Sequence, residues 1–470
     1  MTLPAAALAP FVVSSVHVLL ASAVSVHVLL NKRDVGSSVG WIGLAWLTPL
    51  LGSALYLLLG INRVRRRAKG LRRPPYAGHL PPAPAGSARD DHLAALERAG
   101  GRITGRAAQA GNSVRILHNG DAAYPQMLAA IDAAQCSVGL SSYIFRADAA
   151  GDPFIEALTR AAQRGVQVRV LIDGIGGGYF LSATYRRLRR ARVPVARFLH
   201  SSLPWRMPFL NLRSHKKILA IDGRVVFTGG LNIGAENLTR LRPRRPVFDT
   251  HFRLEGPVVA QLVDVFVADW QFASAERLAS EHWFPRLPPA GESIARAVVS
   301  GPDQDLEKIE FLILEAVGCA RTSIKLMTPY FLPDERLITA LALASYRGVE
   351  VDVILPEHSN HPTLDWASRM QSTPLLAAGC RIWMHPPPFN HSKLMSVDGI
   401  WALIGSANWD VRSFRLNFEL DLEIYHSDLV RELDALMAAQ QGTRLDARDL
   451  GGPLLRRLRN SAARLMLPYL

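Results

Sequence analysis

Cysteine is scarce: Cys136, Cys319 and Cys380 are the only three among 470 residues, and no two of them share a CxxC spacing. That excludes a disulfide framework and a cysteine-based zinc ribbon, and it suits a reducing compartment. Charged residues are also few, 20% of the chain against 49% hydrophobic ones, which excludes an intrinsically disordered chain. Acidic residues fall short of basic ones, 40 against 54, leaving a net charge of +14. Such a surplus favours a polyanionic partner, either nucleic acid or a phospholipid surface. The length exceeds one average domain, so a compound architecture is expected.

Charge is missing altogether from two long stretches near the start. Pro4 to Leu30 carries no charged side chain and Val35 to Asn62 carries none, with only Asn31-Lys32-Arg33-Asp34 between them. A bilayer core needs about 20 apolar helical residues, so each run predicts a transmembrane helix and together they predict a hairpin. No basic region precedes the first run, which argues against a cleaved signal peptide. Arg63, Arg65, Arg66, Arg67, Lys69, Arg72 and Arg73 follow the second run. The positive-inside rule then places the long C-terminal part in the cytoplasm, with this cluster against anionic headgroups.

Beyond the Pro-rich stretch LRRPPYAGHLPPAPA (Leu71–Ala85), short β-branched runs alternate with helical patterns, which predicts an α/β fold. Strand candidates are Val114–Leu117, Val166–Ile172 and Val349–Leu355. Helix candidates are Pro125–Ala134, Pro153–Arg164 and Glu335–Tyr346. The second half echoes the first. RGVQVRVLIDG matches RGVEVDVILPE, and HKKILAIDGRVVFTGGLN (His215–Asn232) matches HSKLMSVDGIWALIGSAN (His391–Asn408), with His, Lys, Asp, Gly and Asn each recurring at one common offset. This is an internal duplication. The expected boundaries are a membrane hairpin with its basic segment over 1–69, a linker over 70–110, and lobes over 111–285 and 286–470.

In a strand, residues i and i+2 share a face about 6.6 Å apart. His215 therefore sits beside Lys217, and His391 beside Lys393. Asp222 and Asp398 complete the candidate catalytic motif, but their odd spacing and the glycine after each mark them as turn residues or partners of a cation rather than phosphate ligands. Asn232 and Asn408 could return donors to the site. Two such motifs around one cavity suit a phosphodiester. Lysines and amides would hold the non-bridging oxygens, one neutral histidine would attack phosphorus, and the other, protonated, would protonate the departing alcohol. The cations are built in, so neither a cofactor nor a metal is expected.

The duplicated HxK(x)4D(x)6G[GS]xN resembles the phospholipase D superfamily. The flanks NLRSHKKILAIDG, TGGLNIGAEN, FDTHFRLEG, TPYFLPDERL and GSANWDVRSFRLNFELDLEIY resemble the bacterial cardiolipin synthase family, as do GINRVRRR and the C-terminal RRLRNSAARLMLPYL. The resemblance implies two pseudo-symmetric lobes sharing one active site. It implies phosphatidyl transfer between two phosphatidylglycerol molecules through a covalent phosphatidyl-histidine, with His215 as nucleophile and His391 as general acid and then base. It also implies that Asp249 orients the first histidine and Glu419 the second. Ser141, in LSSYIF, stands where many relatives have Glu. The alternatives are a membrane-bound phospholipase D hydrolase, a phosphodiesterase or nuclease, and a lipid-binding scaffold with a dead site. The expected partners are phosphatidylglycerol and anionic membrane lipids at the bacterial inner membrane; nucleic acid is not expected, and the oligomeric state stays open.

Three further features admit two readings each. Tyr185–Arg197 and Arg240–Arg245 are basic clusters, either solvated faces or lipid-attracting ones. Leu203, Trp205, Met207, Phe209 and Leu210 suit core packing or a loop dipping into the bilayer. Near the C-terminus, Arg456, Arg457, Arg459 and Arg464 interleave with Leu454, Leu455, Leu458, Leu465 and Met466, a helix that either packs on the core or lies at the membrane interface. Asp365–Arg369 (DWASR) resembles a family segment without a derived role.

Overall fold

The computed structural model describes residues 5–32, 34–60, 91–178, 180–200, 212–450 and 453–465. The chain divides into two units, 1–68 and 69–470. The basic cluster after the second apolar run, the Pro-rich stretch and the 203–210 segment lie outside the described residues.

In the first unit, helix α1 (Ala5–Asn31) contains a 21-residue stretch, Phe11–Asn31, of mean hydropathy 1.9, long and apolar enough to cross a membrane. Asp34 caps α2 (Val35–Leu47) by accepting the Ser37 N–H at 2.6 Å. The second apolar run is not one helix, as the sequence predicts. It breaks after 13 residues and resumes at Leu51. Pro49 is the cause: it disfavours helical geometry at Thr48, which is extended at φ −120 and ψ 101, and it offers no N–H of its own. Leu50 then takes φ 58. His17 of α1 repairs the gap: its Nδ1 accepts the Leu50 N–H at 3.4 Å and its Nε2 donates to the Trp46 carbonyl at 3.2 Å. Those are the two groups an unbroken helix would have paired with each other. His27 Nδ1 and Tyr56 Oη, 2.7 Å apart, join the two runs again further along.

The second unit is built on one large mixed sheet with a repeated strand order. The first lobe contributes β1 (Gln109–His118), β2 (Ser137–Ser142), β3 (Gln167–Asp173), β4 (Val195–Phe198), β5 (Ile218–Ile221), β6 (Val225–Gly229) and β7 (Thr250–Glu255). The second contributes β8 (Ser293–Ser300), β9 (Ser323–Met327), β10 (Glu350–Pro356), β11 (Arg381–His385), β12 (Leu394–Val397), β13 (Trp401–Gly405) and β14 (Asn417–Tyr425). The lobes run β1-β7-β6-β5-β2-β3-β4 and β8-β14-β13-β12-β9-β10-β11, and β1 pairs antiparallel with β8 at the centre. The duplicated sequence thus folds into a pseudo-twofold pair of lobes.

Each lobe buries its own core. Leu140, Phe154, Leu158, Val170 and Leu219 pack together in the first, and Leu312, Leu341, Val353, Trp401 and Leu403 in the second. The later part of the linker expected over 70–110 overlaps folded chain. A helix at Ala94–Thr104 packs on the Lys308–Cys319 helix, with Leu93 and Leu96 in the second lobe's core.

Candidate active site

Both HxK segments enter β5 and β12 at the carboxyl ends of the neighbouring parallel strands, the usual place for sites in α/β sheets. Alternation along the chain works as expected. His215 and Lys217 share one face, while Lys216 between them points into the core, where its ammonium lies 2.9 and 3.1 Å from the two Asp269 oxygens. The second lobe has Ser392 at the matching position, its hydroxyl 2.9 Å from that of Thr250.

The two imidazoles come together across the pseudo-twofold, ring centroids 6.3 Å apart at 81°. Lys217 Nζ donates to the His215 carbonyl at 2.6 Å, and Lys393 Nζ donates to the His391 carbonyl. His215 Nδ1 faces Glu419 Oε2 at 3.0 Å and the Ser406 carbonyl at 2.9 Å. His391 Nδ1 faces Asp249 Oδ2 at 2.8 Å. Nitrogens that face only acceptors carry the proton, so in each ring Nε2 is the atom left for chemistry.

The carboxylates are therefore crossed. The resemblance assigns Asp249 to the first histidine and Glu419 to the second, but each serves the histidine of the opposite lobe. Backbone pairing is the reason. Arg213–Ser214 runs parallel to Asn417–Phe418, and the His215 N–H donates to the Phe418 carbonyl at 2.9 Å. Phe389–Asn390 runs parallel to Val247–Phe248, and the His391 N–H donates to the Phe248 carbonyl at 2.7 Å. Each HxK segment is thus stitched to the stretch of chain that carries the other lobe's acid, Glu419 within its strand and Asp249 directly after Phe248.

Burial sets the charges. It pulls the Lys217 ammonium down to about 7 and that of Lys393 to about 8, because a buried cation loses its hydration. Burial holds both imidazoles below their ordinary range; for His391, Lys393 and Lys217 push in the same direction. Burial lifts Asp249 to about 6 against the pull of Lys393. At Glu419 burial also opposes charge, but His215 and Lys217 outweigh it and keep the carboxyl below the usual carboxylate range. Ser406 Oγ donates to Glu419 at 2.6 Å and Asn417 Nδ2 at 3.0 Å, so its oxygens are fully engaged.

Asp222 and Asp398 stand apart from this cluster, which corrects their inclusion in the catalytic motif. Each occupies the turn after its strand at positive φ, 50 and 53, with Gly223 at 62 and Gly399 at 66. Asp222 Oδ1 accepts the N–H groups of Cys136 and Ser137 at 2.7 and 2.8 Å. Asp398 Oδ1 accepts those of Thr322 and Ser323 at 2.8 and 2.9 Å, and its Oδ2 meets His92 Nε2 at 2.7 Å. They tie the hairpin turn to the start of the neighbouring strand, a local demand that repeats with the duplication. Asn232 accepts the Ile144 N–H through Oδ1 at 3.2 Å. Asn408 is buried, and its Oδ1 has no hydrogen-bond partner among the described residues.

Several residues are missed by motif reading. The Tyr143 ring meets His215 edge-on at 5.1 Å and lies 5.6 Å beneath Lys217 Nζ. Tyr330 and Phe389 flank His391 at 6.3 and 6.0 Å. The signal was present, since Tyr143 and Tyr330 follow β2 and β9, the matching strands of the two lobes. Asp421, raised to about 8 by burial, accepts the Ser406 and Ala407 N–H groups at 2.9 and 3.0 Å and fixes the segment before Asn408. Ser141 is buried in β2, paired with Ile218.

A duplicated sheet with paired histidine–lysine motifs at its centre defines an enzyme of the phospholipase D type. The cardiolipin synthase, PLD-like domain profile matches residues 127–270 and 313–440. A cardiolipin synthase of Geobacillus kaustophilus is 32% identical over 466 residues, covering 95% of this chain and 91% of its own. The major cardiolipin synthase of Bacillus subtilis is 31% identical, covering 94% and 95%. The crystal structure of a phosphatidylserine synthase from Haemophilus influenzae shares the fold, with a TM-score of 0.60 at 16% identity, over 80% of this chain and all of that one. The chain belongs to the cardiolipin synthase family, and it is a membrane protein acting on phospholipid.

Proposed function

We propose that the protein joins two phosphatidylglycerol molecules into cardiolipin and glycerol by double displacement at His215. The observation that carries this reading is the facing pair of imidazoles, each with Nδ1 committed to a carboxylate and Nε2 without a partner among the described residues. His215 Nε2 attacks phosphorus, the bond to the departing glycerol oxygen breaks, and His391, whose imidazolium the bound anionic diester favours against burial and the two lysines, gives its Nε2 proton to that oxygen. His391 then takes the proton from a hydroxyl of the second lipid, whose oxygen attacks phosphorus and releases His215. Lys217 and Lys393 hold the non-bridging oxygens as their charge grows.

Labelled phosphatidylglycerol should give labelled cardiolipin and free glycerol in equal amounts by mass spectrometry. Phosphatidic acid alone would mean that water, not lipid, reaches the intermediate. The pH profile is a second check. Above about 8 both lysines of the free enzyme are neutral and cannot hold the phosphate. Below about 6 Asp249 is protonated and no longer holds the His391 imidazolium. The kcat/KM profile should therefore be bell-shaped, with its maximum between these limits. The alkaline limb of kcat should lie higher, because a bound phosphodiester favours the ammonium form.

We further infer two crossings of the bacterial inner membrane, by α1 and by Val35–Gly60, with the catalytic lobes cytoplasmic. At 1.5 Å per residue α2 alone spans only about 20 Å, so the second crossing needs the turns that resume at Leu51. His17, pairing the groups freed at the break, makes that break tolerable in hydrocarbon.

A further inference from the structure

The C-terminal helix packs on the core through one face and leaves the opposite face exposed. In the helix Leu454–Leu465, Arg456, Asn460 and Ala463 fall on one side at 3.6 residues per turn. That side is covered by the helix Pro362–Ala377. Ala463 packs with Leu332 and Ala367, and the Arg459 guanidinium lies 4.3 Å over the Trp366 ring. The unassigned segment DWASR is thus the seat of the C-terminal helix. Leu454, Leu455 and Leu458 face away, 67%, 80% and 55% exposed. Arg457 and Arg464 line one edge of this strip and Arg459 the other, and the helix contains no acidic residue.

A row of exposed leucines between arginines matches one environment. The boundary of an anionic bilayer takes leucine side chains among the acyl chains and guanidinium groups at the phosphates. Position supports it. Leu332, on which Ala463 packs, lies two residues from Tyr330, whose ring flanks His391. The first lobe has a counterpart. A Cβ on Gly176 would fall 2.4 Å from the Tyr143 carbonyl, so the loop after β3 rests on the tyrosine that flanks His215. That loop carries Leu181, 74% exposed, and leads into the arginine-rich helix Ala183–Arg190.

We propose that the outward face of the C-terminal helix docks the second lobe on anionic phospholipid bilayer, a membrane contact distinct from α1 that holds the His391 side of the site at headgroup level. The contact concerns where the lobe sits, so it stands or falls separately from the identity of the acceptor. The test uses the full-length protein with Cys136 and Cys319 changed to serine; Cys380, only 1% exposed, stays. An environment-sensitive fluorophore is attached at Leu458→Cys and the protein is reconstituted in phosphatidylglycerol or phosphatidylcholine vesicles. The expected result is a blue shift and quenching by brominated acyl chains in the phosphatidylglycerol vesicles. The same label at Tyr346→Cys, an exposed position on another helix, should stay water-like. A water-like label at 458, an equal shift in phosphatidylcholine, or a shift that follows protein density and so reports a second copy would each overturn the proposal. Independently, Leu454→Ser/Leu455→Ser/Leu458→Ser should slow turnover of bilayer phosphatidylglycerol about tenfold and leave dispersed short-chain phosphatidylglycerol unaffected. Equal losses on both substrates would mean that the face is structural, and would overturn it.

Discussion

Replacing His215 by alanine is expected to abolish cardiolipin formation, with a loss on the order of 10⁴-fold or more, because nucleophile and base act as one unit. His391→Ala should lose a similar amount. The crossed carboxylates add a sharper test. Glu419→Gln keeps the shape but offers His215 an amide that cannot stabilise its charge. It should slow formation of the phosphatidyl-enzyme by about 10² to 10⁴. Asp249→Asn should act on the partner histidine, slowing expulsion of glycerol and activation of the second lipid. A quenched-flow measurement with labelled lipid separates these steps. If Glu419→Gln spared formation of the intermediate and impaired only its resolution, the assignment of His215 as nucleophile would fail.

The second large effect is on stability. Lys216 and Asp269 are fully buried and bonded to each other between the HxK segment and the Val258–Ser274 helix. Asp269→Ala leaves the ammonium without its carboxylate in the core, which costs about 3–5 kcal/mol. The thermal midpoint in detergent should fall markedly, together with activity, because the displaced Lys216 lies between the two catalytic side chains. Replacing both partners, Lys216→Met with Asp269→Leu, should recover most of the loss, since an apolar pair of similar volume needs no compensation. A double variant as unstable as the single one would show that the charge pair itself, not its disruption, holds this element.

Much of the site was legible because its signals are local. Strand periodicity put His215 beside Lys217 and His391 beside Lys393. The Asp-Gly pairs at 222 and 398 read as turns from spacing alone, and each aspartate indeed closes a turn. The helix expected over Glu335–Tyr346 is found there. Local signals also misled. Uncharged composition over Val35–Asn62 suggested one helix, while Pro49 within it was the stronger term. Proline content suggested a linker to residue 110, yet Leu93 and Leu96 belong to a core that lies, in sequence, more than two hundred residues further on.

By itself, then, the sequence determined the duplication, the two HxK faces, the long apolar start and the family, since these depend on the residue pattern over a few neighbours. Only the tertiary structure decided which acid serves which histidine, and which face of the C-terminal helix is left uncovered. Both are matters of strand and helix neighbours brought together from opposite halves of the chain. Asp249 is nearer His215 in sequence, but the pairing of Val247–Phe248 with Phe389–Asn390 carries it to His391.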